Sequence, residues 1–274
     1  MADEVTSWWQ TEIIDIHPNI IRIRGYAIED LIGNVGFVDQ IWLMLRGERP
    51  SRVQARLLEA ALVAAVDHGP QAPSIATARM AMTCGVGLNN AVASGVNLLG
   101  SIHGGAGEQA LEFYEGIRAA MASGVSIDSA VAEAVDARLA VKRPIEGFGH
   151  RFHRKVDPRT PRLLKLLDEA RAQGAIGGDY CAIGRTVEKR LLAVKRRPLP
   201  MNIDGITACL YGELGFPPPL ARGLFILSRS VGILAHAWEQ SRQGGRIKGP
   251  LPPSSPYAYT GHGPRKLTGP REEA

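Results

Sequence analysis

Apolar residues recur every three to four positions through most of the chain, the spacing of one face of an α-helix. In residues 50–69 this face comprises Val53, Leu57, Leu58, Ala61, Leu62 and Val66. The pattern ends at Gly69. Residues 107–124 and 223–243 show the same periodicity, and the second of these is a long apolar segment that carries the isolated Arg229 and His236. The chain is therefore predicted to be mainly helical.

Polar and special residues mark where further helices begin and end. Ser126 precedes one periodic segment and is typical of an N-cap. Thr160, followed by Pro161, predicts a cap with proline at the first helical position, and Gly174 predicts the end of that helix. Both segments add helices to the prediction.

Strand patterns are scarce. Residues 11–26 are the one plausible extended stretch, with alternation around His17 to Tyr26 and a break at Pro18. The tail, 249–274, is rich in proline, glycine and serine, so it is predicted to be extended or partly disordered. The predicted fold class is all-α.

Composition narrows the class of partner. The 274 residues carry a net charge of +5, with basic clusters at 150–155 and 194–198. No zinc finger or RNA-binding signature is present, so we expect no nucleic acid, and the clusters suit a phosphorylated small ligand better. A few surplus cations on a solvated face would need no ligand at all.

The sequence also contains indications of where in the cell the protein is located. No apolar run approaches the ~20 residues of a membrane span, and the N-terminus lacks a signal pattern. The three cysteines, Cys84, Cys181 and Cys209, have no metal-like spacing and read as reduced core thiols. We therefore expect a cytoplasmic protein with no membrane partner.

Three short stretches carry candidate chemistry: 101–105, 145–159 and 202–216. The first two place His103 and His150 among glycines, and the third places Asp204 between isoleucines at a predicted helix start. Each residue has a plainer reading: His103 as a turn histidine, and Asp204 as a helix cap. His150 and His153 could form a metal pair, but arginine and lysine neighbours repel a cation, so we expect no metal.

Taken together, two histidines and a carboxylate suit acid–base chemistry at a carbonyl. A neutral imidazole can donate a hydrogen bond to a developing enolate oxygen, while a carboxylate removes or returns a carbon-bound proton. This combination fits the formation or cleavage of a carbon–carbon bond next to a thioester.

The sequence resembles the citrate synthase superfamily from about residue 18 to residue 248, with several motifs in the family's order. The matching segments read "RGYAIEDL", "DHGPQAPSIATARM", "SIHGGAGE", "GFGHRFHRKVDPR", "NIDG" and "SRSVGILAHAWEQ". The resemblance implies that His103 hydrogen-bonds the thioester carbonyl and that Asp204 exchanges the proton of the acetyl methyl carbon. His150 would exchange a proton with the oxygen of the oxo-acid carbonyl.

The resemblance also implies binding residues. His68, Arg159 and Arg229 would hold substrate carboxylates, and Arg154 would contact the phosphates of coenzyme A. The glycines expected to meet coenzyme A are Gly104, Gly105, Gly147 and Gly149. Coenzyme A would be a substrate, with no permanently bound cofactor.

The family fold is a helical homodimer in which a small domain closes on the substrate. Carried over to this chain, residues 1–105 and 204–274 would form the large domain and residues 106–203 the small one. We expect a homodimer or a higher homo-oligomer.

Two departures from the family pattern point to one branch of it. One helix replaces a long block of helices before residue 67, and Gly249 stands where the family often has an arginine that reaches the neighbouring subunit's substrate; Arg246 or Lys248 could substitute. Residues 249–274 could complete a neighbouring active site. The short chain and the glycine after Asp204 favour the citryl-CoA lyase branch, which cleaves citryl-CoA to acetyl-CoA and oxaloacetate. Citrate synthase, 2-methylcitrate synthase and an inert coenzyme A-binding protein are the alternatives.

Overall fold

The computed structural model describes residues 8–255 and 257–266, and these form a helical fold with one small sheet. The strands are β1 (Ile14–His17), β2 (Ile20–Ile23) and β3 (Tyr26–Ala27). The helices are α1 (Ile28–Leu31), α2 (Phe37–Arg46), α3 (Arg52–Ala65), α4 (Pro73–Thr83), α5 (Leu88–Val96), α6 (Ala106–Ala122), α7 (Ile127–Ala140), α8 (Arg159–Ala172), α9 (Asp179–Lys195), α10 (Ile203–Glu213) and α11 (Pro218–Gln243). The all-α prediction is confirmed.

The predicted extended stretch is an antiparallel three-stranded sheet in the order β1-β2-β3. The break predicted at Pro18 is the two-residue turn between β1 and β2, and Asn19 takes a left-handed φ of 66° there. Asparagine adopts this conformation more readily than most residues. Register pairs Ile14 with Ile23 and Ile16 with Ile21, so these four isoleucines share one face of the sheet, on which Tyr26 pairs with Ile23.

One hydrophobic core extends through most of the helices. Helix α6 buries Ala110, Leu111, Phe113, Tyr114 and Ile117, as its periodicity predicted. Helix α10 is buried along most of its length and packs against α6 and α9. This core includes residues on both sides of the proposed domain boundary at 203/204, such as Val187 and Ile206. The division into two domains stays a prediction.

A second cluster joins α4, α5 and α11. Its buried residues include Ile75, Ala91 and Ile233. Gly95 of α5 allows this close packing, because a Cβ there would lie 2.7 Å from the Ser74 carbonyl oxygen and 2.8 Å from Ile233 Cγ2. The cluster therefore fixes the start of α4, where Ser74 faces the candidate site.

Two predicted caps differ in outcome. The Ser126 cap is confirmed, with its hydroxyl accepting a hydrogen bond from the Ser129 N–H at 3.3 Å. The Thr160 cap is wrong: α8 begins at Arg159, whose N–H donates to Asp157 Oδ1 at 3.1 Å. The N-cap position is Pro158, Asp157 accepts the first helical N–H from one residue further upstream, and the Thr160 hydroxyl donates to the Met201 carbonyl oxygen at 2.8 Å instead.

Among the described residues, α11 has the length and apolar composition of a membrane span, contrary to the prediction that no apolar run approaches that length. Its inner side packs against α4, α5 and α6 and carries the buried Arg229. These contacts are those of a helix that belongs to the protein core.

Candidate active site

His103 lies in the turn between α5 and α6 and is followed by two glycines that the turn requires. Gly104 has a left-handed φ of 105°, and a Cβ there would lie 3.1 Å from the Phe225 ring. A Cβ on Gly105 would lie 2.7 Å from the Ser101 Cα. Glycine is therefore needed at both positions for the chain to fold back at His103.

Ser74 orients the His103 ring across 29 residues of sequence. The Ser74 N–H donates to His103 Nε2 at 3.3 Å, and the Ser74 hydroxyl oxygen lies 3.0 Å from the same nitrogen. A backbone N–H can only donate, so in the neutral ring Nε2 accepts and the proton is on Nδ1. Burial, together with the charges of Arg229 and His68, lowers the pKa of His103 from its ordinary value. The ring is thus held neutral with a donor N–H available.

His150 follows two glycines with left-handed backbones, Gly147 (φ 87°) and Gly149 (φ 79°). The N–H groups of Phe152 and His153 donate to His150 Nδ1 at 3.0 and 3.1 Å. In the neutral ring the proton is therefore on Nε2. The ring is fixed by its own backbone turn, and its Nε2–H has no hydrogen-bond acceptor among the described residues.

Two other histidines surround His150. His153 stacks on it with ring centroids 4.5 Å apart, and His68 meets it edge to face at 5.4 Å. Burial, followed by the charge of His153, lowers the pKa of His150. Burial, followed by the charges of Arg159 and Arg229, also lowers the pKa of His68. The pKa values of His68, His103 and His150 are thus all lowered, which biases these three rings towards the neutral form.

Asp204 is the second residue of α10 and is not its cap. Asn202 is the cap, and its Oδ1 accepts hydrogen bonds from the N–H groups of Asp204 (2.9 Å) and Gly205 (3.2 Å). The plainer reading of Asp204 as a helix cap is therefore wrong. Within residues 8–255 and 257–266 no donor is hydrogen-bonded to the Asp204 carboxylate.

The surroundings of Asp204 suit proton transfer. Burial raises the pKa of its carboxyl, and the nearby Asp157 raises it further, while Arg159 and Arg229 act in the opposite direction. A buried carboxyl with a raised pKa, and with no hydrogen-bond donor among the described residues, is suited to taking up and releasing a proton. The open side of the carboxylate faces Gly107, where a Cβ would lie 3.9 Å from Asp204 Oδ1.

The two candidate carboxylate-binding arginines are anchored to the end of α3. Arg159 donates from Nη1 to the Ala64 carbonyl oxygen at 3.4 Å, and it forms a bidentate ion pair with the fully buried Asp157 through Nε–Oδ1 (2.9 Å) and Nη2–Oδ2 (2.7 Å). Arg229, 5% exposed, donates from Nε to the Ala65 carbonyl oxygen at 3.1 Å and lies 4.8 Å above the Phe225 ring. Both positive charges are therefore held beside His68.

A basic cavity adjoins His150. It is lined by Arg151, Arg154, Lys155 and Arg197, with Leu199 and two prolines as its apolar part. The structure thus brings together the two basic clusters noted in the sequence, 150–155 with Arg154 and 194–198 with Arg197. Several cations and an apolar surface in one cavity suit a ligand that carries phosphates and an apolar or aromatic group.

The segment before Gly249, which carries Arg246 and Lys248, is attached to the protein away from the site histidines. The N–H groups of Ile247 and Lys248 donate to Thr83, at 3.0 Å to its carbonyl oxygen and 2.9 Å to its hydroxyl. Thr83 ends α4, whereas Ser74 lies near its start, about 13 Å away along the helix. Lys248 is therefore tied, through its backbone, to the opposite end of α4 from the histidines of its own chain.

The chain is similar to known proteins over most of its length. Residues 35–250 match the family model described as the C-terminal domain of citrate synthase. Citrate synthase 1 of Mycobacterium tuberculosis is 32% identical over 199 residues, covering 70% of this chain and 44% of that protein. The 2-methylcitrate synthase of Shewanella oneidensis is 30% identical over 226 residues, covering 82% of this chain and 55% of its own length. The chain spans about half the length of these curated relatives.

Two solved structures match nearly all of the chain. Citryl-CoA lyase from Hydrogenobacter thermophilus is 36% identical with a TM-score of 0.83, covering 95% of this chain and 97% of that one. ATP citrate lyase from Methanosaeta concilii, solved with (3S)-citryl-CoA, covers 95% of this chain and 44% of its own with a TM-score of 0.77. At 21% identity the second match shows a shared fold.

Proposed function

Because the chain belongs to the citrate synthase family, whose chemistry is condensation or cleavage on coenzyme A thioesters, we propose that it is a citryl-CoA lyase that forms acetyl-CoA and oxaloacetate. The observation that carries this choice is the correspondence over almost the whole of both chains with the lyase from Hydrogenobacter thermophilus. The synthases that match are about twice as long as the segment they share with this chain.

His103 and Asp204 handle the acetyl half of the substrate. The Nδ1–H of His103 donates to the thioester carbonyl oxygen, which gains negative charge as the enolate forms. In cleavage, Asp204 gives a proton to the enolate carbon, and in condensation it removes a proton from the acetyl methyl group. The raised pKa of Asp204 supports this exchange, because the acid form is then accessible.

His150 and the anchored cations handle the oxaloacetate half. In condensation the Nε2–H of His150 gives its proton to the oxaloacetate carbonyl oxygen as the carbon–carbon bond forms, and in cleavage Nε2 takes the proton of the citryl-CoA hydroxyl. The imidazolate that alternates with the neutral ring is stabilised at Nδ1 by the N–H groups of Phe152 and His153. Arg159, Arg229 and His68 bind the carboxylates, for which planar guanidinium groups are well suited.

The basic cavity accounts for coenzyme A. Arg154, with Arg151, Lys155 and Arg197, supplies positive charge for the phosphates, while the adjacent glycine turns leave room for the thioester arm. Coenzyme A thioester, oxaloacetate and citrate-derived substrates are thus the proposed partners, with no permanent cofactor. Assembly as a homodimer or higher oligomer, closure by residues 106–203 and a cytoplasmic location belong to the same proposal.

Citrate synthase or 2-methylcitrate synthase activity is the second candidate. It is favoured by the 30–32% identity to enzymes of those names. The same residues serve either direction, because a catalyst accelerates a reaction both ways. The synthase reading adds one step, hydrolysis of the citryl thioester, which releases free thiol.

Thioester absorbance and free thiol together separate the candidates. We expect citryl-CoA to be converted to acetyl-CoA and oxaloacetate, with no thiol released from acetyl-CoA plus oxaloacetate. Thiol release from the second mixture would instead identify a short citrate synthase. No reaction in either mixture, with coenzyme A still bound, would leave the inert coenzyme A-binding protein.

Asp204→Asn tests the catalytic assignment. We expect it to abolish turnover and leave coenzyme A binding unchanged. Asp128→Asn is the matched control, because Asp128 follows the first residue of α7 as Asp204 follows that of α10, but is exposed and remote from the histidines. Equal activity of the two variants would refute the role of Asp204.

A further inference from the structure

We propose that His236, fixed by Arg79, is a positioning residue that holds His68 in place through Asp67. The proposal rests on the proposed function in one respect, namely that His68 binds a substrate carboxylate. No motif-based role was assigned to His236, Arg79 or Asp67 in the sequence. Helices α11 and α4 both contact the short segment that carries His68, or the side chains that hold it.

Helix α11 touches the backbone of this segment. A Cβ on Gly232 would collide with the Val66 carbonyl oxygen and lie 3.1 Å from Asp67 Oδ1. The missing side chain lets the helix backbone reach residues 66–67 directly. One turn further along α11, the His236 ring extends over Asp67, with Nε2 3.3 Å from Asp67 Oδ1.

Arg79 determines which nitrogen of His236 carries the proton. Its Nη1 lies 3.1 Å from His236 Nδ1, and a guanidinium group can only donate. Nδ1 therefore accepts, and the proton of the neutral ring is on Nε2, facing the Asp67 carboxylate. A ring with this tautomer donates to Asp67 while its other nitrogen is held from α4.

Asp67 connects His236 to the backbone on both sides of His68. Its second oxygen, Oδ2, accepts a hydrogen bond from the Gly69 N–H at 3.2 Å. The two contacts of one carboxylate thus lie on either side of His68 in sequence. Burial raises the pKa of Asp67, but the hydrogen bonds from Gly69 and His236 outweigh this and leave the pKa below its ordinary value. The carboxylate is therefore ionised, as both contacts require.

Arg79 on α4 has other hydrogen-bond partners on α11. His236 can therefore be replaced without removing every contact that Arg79 makes between the two helices. Its guanidinium also donates to Glu239 and to Gln243 Oε1 at 2.6 Å. Loss of the His236 ring leaves these links between α4 and α11 in place. The expected effect is therefore local to Asp67 and His68.

The first test compares His236→Leu with His236→Gln. The glutamine amide can still donate to Asp67, whereas leucine cannot. We expect His236→Leu to raise KM for citryl-CoA about tenfold, with kcat changed less than about threefold, since one lost charged hydrogen bond corresponds to this order of affinity. We expect His236→Gln to retain KM within about threefold. Ser241→Leu, an exposed apolar change on the same helix, is the control.

A double-variant cycle tests whether His236 acts through His68. We expect His68→Leu with His236→Leu to be no worse than His68→Leu alone, because both changes remove the same substrate contact. Additive losses would overturn the proposal. So would equal losses in the Leu and Gln variants, or a wild-type KM in both.

A measurement without substrate separates this proposal from the proposed function. In the full chain, ring-nitrogen NMR signals of His68 should change in His236→Leu and stay as in the wild type in His236→Gln. This result would support the positioning role even if neither thioester mixture reacts. Unchanged His68 signals in both variants would refute it, whatever the activity.

Discussion

Asn202 Nδ2 donates a 2.7 Å hydrogen bond to the Gly149 carbonyl oxygen, which ties the cap of the Asp204 helix to the residue before His150. The same side chain caps α10 through Oδ1. The Asn202 N–H also donates to the Gly147 carbonyl oxygen at 2.9 Å. One asparagine therefore sets the distance between the proposed carboxylate acid and the proposed histidine donor.

Replacing Asn202 should damage catalysis more than folding. Asn202→Asp keeps a cap acceptor but loses the donor to Gly149 and places a carboxylate against that carbonyl oxygen. We expect kcat to fall by about 10- to 100-fold, because small misplacements of reacting groups have effects of this order. Asn202→Ala should also lose the cap and about 1 kcal/mol of unfolding free energy. Urea unfolding and steady-state kinetics on both variants check this, and an unchanged kcat in Asn202→Asp would contradict it.

The three site histidines predict how activity depends on pH. The pKa values of His68, His103 and His150 all lie below the ordinary value of 6.5, with burial as the first cause. The neutral rings therefore persist as the pH falls past 6.5, and the acid limb of kcat/KM should lie below that pH. A pH profile with its acid limb above 6.5 would show that these rings are not the groups that titrate.

The same histidines should make the free energy of unfolding depend on pH. A lowered pKa in the folded state means that the unfolded chain binds more protons between the folded and unfolded values. The free energy of unfolding should therefore decline as the pH falls from about 6.5 through the folded pKa values, and be level above. Chemical unfolding at several pH values measures this. His68→Gln should reduce the slope in that window, and an unaltered slope would contradict the assignment.

Asp204 affects the pH dependence of the free energy of unfolding in the opposite direction to the histidines. Burial raises its pKa, so the ionised carboxylate at neutral pH destabilises the folded protein. Asp204→Asn should raise Tm, by roughly 2–4 °C for each kcal/mol recovered in a chain of this size, while turnover is lost. The gain should disappear at acid pH, where the wild-type carboxyl is protonated. A lower Tm than the wild type at neutral pH would argue against a strained carboxylate.

The sequence pointed to the proposed reacting groups but not to the residues that orient them. His103 and His150 stood among glycines and Asp204 stood between isoleucines at a predicted helix start, and their expected roles came from the family resemblance. Ser74 and Asn202 had no comparable signal. Ser74 meets His103 across 29 residues, and such long-range contacts depend on how α4 and α5 pack. Periodicity within single helices carries no information about that packing.

Local ambiguity explains the errors at helix starts. At α10, Asn202 and Asp204 are both good caps two residues apart, and propensity alone does not separate them. The structure separates them because the Asn202 amide can also donate to Gly149, which a carboxylate cannot do. At α8, Asp157 supplies the acceptor and starts the helix one residue before Thr160. Tertiary contacts decided both cases.

Gly107 should determine which acyl groups fit beside Asp204. It is the second residue of α6, and a Cβ there would make ordinary contacts of 3.9 Å with Asp204 Oδ1 and Thr207 Oγ1. The absent side chain therefore leaves space where the methyl group of an acetyl substrate would meet the carboxylate. An acyl chain longer by one carbon would occupy part of the same space.

Alanine and leucine at position 107 should separate stability from specificity. Gly107→Ala should raise the free energy of unfolding by about 0.5–1 kcal/mol, the usual gain within a helix. It should reduce kcat/KM for the homologue with a propionyl unit more than for citryl-CoA, and Gly107→Leu should suppress both. Gly116→Ala is the matched control on α6, because a Cβ there meets nothing within 4 Å. It should give a similar gain in stability with unchanged selectivity, and the same selectivity in Gly107→Ala would mean that the acyl group lies away from α6.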